Sequence, residues 1–225
     1  MGLFFIVLVA FLSISAIQTS LGSYATVKIN EAYGTDIKIE KVGLQFNGDV
    51  ELKTILIKDH FGATMISVSE LNTSVLSFAK IANNELEFGD IDMYNLFFHI
   101  KTYKGEGDTS LDFFADKFDR QNPIEKTNKF LLSSGSLNIY NSSFRLTDEN
   151  KKNPEVLDLR DLDILASDFL ISGFDINTKI KQLSFKDSRG VALKNLQTEF
   201  SYTPSRMVFS DLHIETSASL VNGLL

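Results

Sequence analysis

One spacing of apolar residues recurs along most of this chain: apolar-x-apolar-x-x-apolar-x-apolar. It occurs at Ile37/Ile39/Val42/Leu44, Val50/Leu52/Ile55/Ile57, Ile91/Met93/Leu96/Phe98, Leu157/Leu159/Leu162/Ile164 and Met207/Phe209/Leu212/Ile214. Looser copies sit at Ile66/Val68/Leu71/Thr73, Leu137/Ile139/Ser142/Phe144 and Val191/Leu193/Leu196/Thr198. Small polar or acidic residues accompany the offset: Thr54, Glu70, Asp90, Asn95, Asn141, Asp161, Asn195 and Asp211. A strand alternates its faces with period two, so one extra residue would send half of each apolar set to the opposite face. A β-bulge or a short corner absorbs the residue and keeps the set on one side. Asn and Asp tolerate the backbone angles such a corner requires. The pattern therefore predicts many strands, each apolar on one face only.

Turn and helix signals fit between these strands. Residues 56–62 (LIKDHFG) echo 183–190 (LSFKDSRG), and both end in Asp-x-x-Gly, a tight-turn signature. Residues 144–150 open the same way and run into a longer polar loop through Pro154. Apolar residues at helical spacing from Ile17 to Tyr33, with Gly34 at the C′ position, predict a helix that runs into the first strand. A second helix is expected at 109–118, and a short one at 76–83. Residues 119–129 contain Pro123 and no apolar pattern, which marks them as a linker. The organisation expected is an anchor and amphipathic helix over 1–33, a β segment over 34–118, the linker 119–129 and a second β segment over 130–225. The apolar end at 219–225 carries no polar cap, so the second segment is expected to be truncated.

The amino terminus adds a membrane question. Leu3, Phe4, Phe5, Ile6, Val7, Leu8, Val9, Phe11, Leu12, Ile14 and Ile17 make residues 3–17 nearly all apolar. As a helix this stretch spans roughly 22 Å, short of the ~30 Å hydrocarbon core. It reads either as a signal-peptide core, with Ser13, Ile14, Ser15 and Ala16 near a cleavage site, or as an uncleaved anchor lacking a basic flank.

Composition narrows the chemistry. The 225 residues are 44% apolar with 19 Phe, enough for a large β core, and carry a net charge of −7. That charge argues against nucleic acid, whose phosphates need clustered Lys and Arg. No Cys is present, which removes disulfides and thiolate chemistry. His60, His99 and His213 lie far apart and read as solvent-facing. Residues 158–163 (DLRDLD) alternate with apolar positions and belong to strand faces. Residues 148–153 (DENKKN) lack the Gly and distal Glu of a calcium loop and read as a solvated turn. Residues 103–108 read as a flexible loop without a phosphate-binding fingerprint. No catalytic, cofactor or metal residue is nominated, and the chain is expected not to be an enzyme. The nominated site is an apolar groove lined by Val50, Leu52, Ile55, Ile57, Ile91, Met93, Leu96, Phe98, Leu157, Leu159, Leu162, Ile164, Met207, Phe209, Leu212 and Ile214. Two or three short helices are too few to cover so many one-faced strands.

Several short stretches also carry a resemblance: 17–19 (IQT), 33–37 (YGTDI), 46–50 (FNGDV), 57–59 (IKD), 86–90 (LEFGD), 103–106 (YKGE) and 185–190 (FKDSRG). With the apolar amino terminus, they make the chain similar to the N-terminal end of TamB-like proteins in their Bacteroidetes-like form. These are inner-membrane components of the translocation and assembly module, within the AsmA-like group. The resemblance implies a single-pass inner-membrane anchor and a periplasmic, elongated, repetitive antiparallel β-taco with a greasy interior. It implies work in outer-membrane biogenesis, by conducting phospholipid or by supporting assembly of outer-membrane proteins. The outer-membrane partner expected, a barrel of the BamA/TamA type, would be met through a C-terminal region with no counterpart here.

Overall fold

The structure, a computed structural model, describes residues 15–45, 47–77, 85–119, 131–172, 175–203, 205–216 and 219–223. It is mainly β. Helix α1 (Ser15–Tyr33) leads into β1 (Asp36–Leu44), β2 (Asp49–Lys58), β3 (Thr64–Ser74), β4 (Glu85–Tyr94) and β5 (Phe97–Thr102). Helix α2 (Ser110–Asp119) precedes β6 (Leu131–Asp148), β7 (Glu155–Ser172), β8 (Asp175–Asp187), β9 (Ala192–Thr203), β10 (Arg206–Thr216) and β11 (Leu220–Gly223). All eleven strands join one sheet in chain order, with β5 continuing the line of β4.

Both longer helices form as the sequence predicts. Gly34 closes α1 at φ 64°, its N–H bonded to the Asn30 carbonyl at 2.8 Å. The Asn30 side chain then acts as a strand partner for Ile37, accepting from its N–H at 2.9 Å and donating to its carbonyl at 2.8 Å. Thr35 adds a third bond to the same amide oxygen. α1 lies close against β1: a Cβ added to Gly22 would stand 2.3 Å from Val42 Cγ2, so only glycine fits there. At α2, Thr109 and Asp112 form a reciprocal cap, with Thr109 N–H donating to the carboxylate at 2.8 Å and Asp112 N–H to the hydroxyl at 3.2 Å. The nominated anchor residues 3–14, the short helix over 78–83 and the linker residues 120–129 lie outside the described residues. Among the described residues no helix is long and apolar enough to cross a membrane.

All eight copies of the apolar spacing fall on strands except at Leu96, between β4 and β5, and Val191, just before β9. Thr54, Asn95, Asn141, Asp161 and Asp211 take the left-handed backbone conformation, with φ between 47° and 54°. Glu70, Asp90 and Asn195 do not. From β1 to β4 and β5 the offset is a corner shared by neighbours rather than a bulge: Ile39 faces Ile55, Val42 faces Leu52, Leu52 faces Leu71 and Leu71 faces Met93, with no slip in register. True register shifts appear at Asp161 between β7 and β8, and at Asp211 between β9 and β10.

One expectation is corrected. The sheet is not wholly antiparallel, because β4 and β5 run parallel to β6. Partners lie 46 residues apart throughout, from Glu85 with Leu131 to Thr102 with Asp148. Like residues meet across this join. Tyr94 stacks on Tyr140 at 5.1 Å, Asn141 donates to Asn95 at 2.7 Å, and Phe98 meets Phe144 edge-on at 5.6 Å. A parallel pair needs a long crossover, and residues 103–130, including α2, provide it.

The predicted Asp-x-x-Gly turns match each other bond for bond. Asp59 N–H reaches Ala63 O at 2.8 Å, as Asp187 N–H reaches Val191 O at 2.7 Å. Gly62 and Gly190 close the two turns at φ 81° and 90°. Asp148 N–H binds Pro154 O in the longer third turn.

Candidate apolar face

The sixteen nominated apolar residues share one face of the sheet. Ile57, Ile55, Leu52 and Val50 face Ile37, Ile39, Val42 and Leu44 of β1. Met93 faces Ile139, which faces Ile164, while Phe98 faces Phe144, which faces Leu159. Phe209 faces Phe200, with ring centroids 5.2 Å apart. The rows thus run from β1 to β8 and resume between β9 and β10, with residues 181–184 and 194–197 unpaired between β8 and β9.

Burial on this face is uneven. Ile55, Leu162 and Leu212, each directly after a left-handed residue, are 7–9% exposed. Val68, which faces Ile55, is 5% exposed. The remaining nominees apart from Ile91 are half-buried, and Met207 is 56% exposed. Only nine apolar side chains are buried among the described residues. The buried line follows the corners, so the sheet is creased with its concave side apolar.

Bending a strand turns backbone carbonyls toward this apolar side, where an unpaired one is costly. Buried hydroxyls meet them. Ser142 donates to Tyr140 O at 2.9 Å beside Asn141, and Thr198 to Ser210 O at 2.7 Å beside Asp211. Thr178 donates to Ser167 O at 3.0 Å beside Asp168, and Ser134 to Gly89 O. Asp168, at φ 55°, marks a second crease that the sequence reading missed. Its signal was present as Ile164/Ala166/Phe169/Ile171, an overlapping copy of the same spacing. Phe144, Phe169, Phe200 and Phe185 are further aromatic positions on strands of this sheet that the nomination left out.

The opposite face carries the charged pairs. Residues 158–163 divide as expected: Asp163 accepts from Asn141 N–H at 2.8 Å, and Asp161 pairs with Lys186 at 2.9 Å. Asp158 is 2% exposed and is held by Arg160 at 2.8 Å and Arg145 at 3.5 Å. His60 and His99 are not solvent-facing in the way their sequence positions suggest. His60 is half-buried between Phe113, Phe61 and Tyr103, with Nε2 3.2 Å from both Glu106 oxygens. His99 is bonded to Thr147 at 2.9 Å, and burial, then the Arg145 and Lys101 charges, push its pKa down. Burial and the Asp59 carboxylate, which accepts from Tyr103 at 2.6 Å, push that phenol up. The loop 103–108 is not free either: Asn150 accepts from Gly105 N–H at 2.8 Å and donates to Glu106 O at 2.9 Å.

The buried carboxylates set a pH dependence. The hydrogen bond from Arg160 holds Asp158 below its usual range, and Arg189 does the same for Asp187. A depressed native pKa contributes stability that is present above the unfolded value, about 4, and lost as pH falls through the native value. The thermal midpoint should therefore fall between pH 5 and pH 3, each about one unit either side of that value. Asp158→Asn should flatten that slope while lowering the midpoint at neutral pH; an unchanged slope would show that Asp158 is not among the groups responsible.

Among the described residues no group of three or more His, Asp or Glu is placed to hold a metal ion. The arrangement offers instead a creased apolar surface with half-open side chains. No protein-family model and no curated protein matches this sequence.

Proposed function

We propose that the chain is a TamB-like envelope component whose creased sheet forms a β-taco-like groove for acyl chains, conducting phospholipid between membranes. The observation that carries this reading is the apolar face, whose rows run from β1 to β8, resume on β9 and β10, and are left half-open. Covering the last exposed half of a Leu-sized side chain is worth about 1 kcal/mol. Eleven half-buried nominees thus offer an occupant about 10 kcal/mol before ordering costs. The apolar stretch 3–17 would hold the amino terminus in the inner membrane, with the sheet in the periplasm. Native mass spectrometry of the protein released from membranes tests the reading. Phospholipid adducts are expected, and they should be lost in Phe98→Glu and Ile214→Glu, which charge half-buried wall positions. A stable, monodisperse preparation with no adduct would overturn the reading.

A second reading is a protein-assembly scaffold acting by strand-edge pairing, without lipid transport. It is favoured by one observation: among the described residues, β1 is an outer strand of the sheet and pairs with β2 alone. Photo-crosslinkers at Glu40 and Lys41, both exposed on β1, should then trap outer-membrane barrel proteins rather than lipid.

A further inference from the structure

The crease is not secured equally at every strand junction. From β1 through β8, and again at β9 and β10, each junction has at least one strand with a left-handed residue: Thr54, Asn95, Asn141, Asp161, Asp168 or Asp211. There the ladder is interrupted for only one or two positions. β8 against β9 is the exception. Its pairs run from Ile176 with Tyr202 to Ile180 with Thr198, resume at Phe185 with Leu193, and omit the four positions between in unchanged register. Neither 181–184 nor 194–197 contains a left-handed residue. Both strands nevertheless offset here, at Lys181 against β7 and at Asn195 within its copy of the apolar spacing. The Asn195 amide oxygen is buried without a hydrogen-bond partner. The same defect recurs at the other place where a crease lacks a left-handed residue. Beside Asp90, the β3–β4 pairing skips residues 73–74 on one strand and 89–91 on the other, and buried Thr73 Oγ1 has no partner.

Where neither strand of a pair supplies a left-handed residue at the bend, their amides do not stay aimed at one another, and the ladder opens. Strands tied to each other only at the two ends of such a gap can change the angle between them, while 182–184 stay paired with β7 and 195–197 with β10. We propose that the β8–β9 seam is an adjustable station along the apolar face, where the crease opens and closes separately from the rest of the sheet and holds or releases an acyl chain. The station rests on the groove reading for its ligand, but its opening does not.

Two measurements separate these claims. Hydrogen exchange on the unmodified chain reads the seam alone. Amides in 181–184 and 194–197 that face the seam should exchange about a hundred-fold faster than those of 176–180 and 198–202. Equal protection would overturn the station whatever the ligand. The second measurement uses the absence of native Cys. Ser184 and Lys194 stand opposite each other in the register, so Ser184→Cys/Lys194→Cys can bridge the seam. Transfer of a pyrene-labelled hexadecanoic acid from the protein to phosphatidylcholine vesicles should slow about ten-fold in the oxidised form and recover on reduction. A control bridge in the paired stretch, Lys179→Cys/Glu199→Cys, should leave transfer unchanged. Equal rates in oxidised and reduced seam variants would overturn the station, while no uptake by the unmodified chain would overturn the groove reading and leave exchange to judge the seam.

Discussion

Leu162→Ala should cost about 3 kcal/mol of stability and Leu157→Ala only about 1, although both positions lie on the apolar face of β7. Leu162 follows the left-handed Asp161, is 7% exposed, and faces the buried Ser142. Truncating it leaves a cavity where the sheet folds over, and the hydroxyl network beside it limits collapse. Leu157 sits five residues away toward the strand end and is half-buried, so solvent already reaches part of its side chain. Urea unfolding reads the difference as a shift in midpoint at constant slope. Equal costs at the two sites would mean that burial is uniform along β7 and that no crease exists.

Asn141→Val and Asn141→Gly should differ in sign of preference from what strand propensity alone suggests. Asn141 lies inside the 18-residue β6, where Val is ordinarily favoured and Gly disfavoured. Its φ is 47°, however, and its side chain donates to Asn95 at 2.7 Å. A left-handed backbone costs an L-residue roughly 1–2 kcal/mol, and more when it is β-branched. With the lost amide contact, worth about 1 kcal/mol, Asn141→Val should destabilise by about 3 kcal/mol. Asn141→Gly loses the same contact but relieves the strain, and should stay within about 1 kcal/mol of the unmodified chain. Because the residue is exposed, neither change disturbs packing. A Val variant as stable as the Gly variant would remove the corner as an explanation of the offset spacing.

Much of the sheet was legible because one rule governs it locally. The offset in each apolar set forces a corner, and Thr54, Asn95, Asn141, Asp161 and Asp211 show by their composition where five of the corners lie. Glu70 occupies the same slot without the same conformation because β2 beside it supplies Thr54, whereas at Asn195 neither β8 nor β9 supplies a left-handed residue and the ladder between them opens. The parallel join was not legible as such. Residues 85–102 and 131–148 repeat Tyr-Asn and a Phe three residues after it at a spacing of 46, yet strand pattern alone does not fix direction. Direction is set by the crossover, whose residues carry no apolar period of their own beyond α2. The histidines misled for a related reason. His60 lies in a polar-looking turn, and its aromatic neighbours Tyr103 and Phe113 arrive from 43 and 53 residues away through α2 and the loop before it.

The parallel join also decides which lip of the creased sheet each turn occupies. β5 ends and β6 ends at the same side, so the chain resets its direction once and the hairpins of both halves stay in phase. The Asp59, Asp148 and Asp187 turns consequently line up along one lip, and the opposite lip carries none of them. A body lying lengthwise in the concavity would therefore meet two differently built banks, one carrying the three Asp-led turns and one where Asp49 and Asp175 open β2 and β8, and its two facings would not be equivalent.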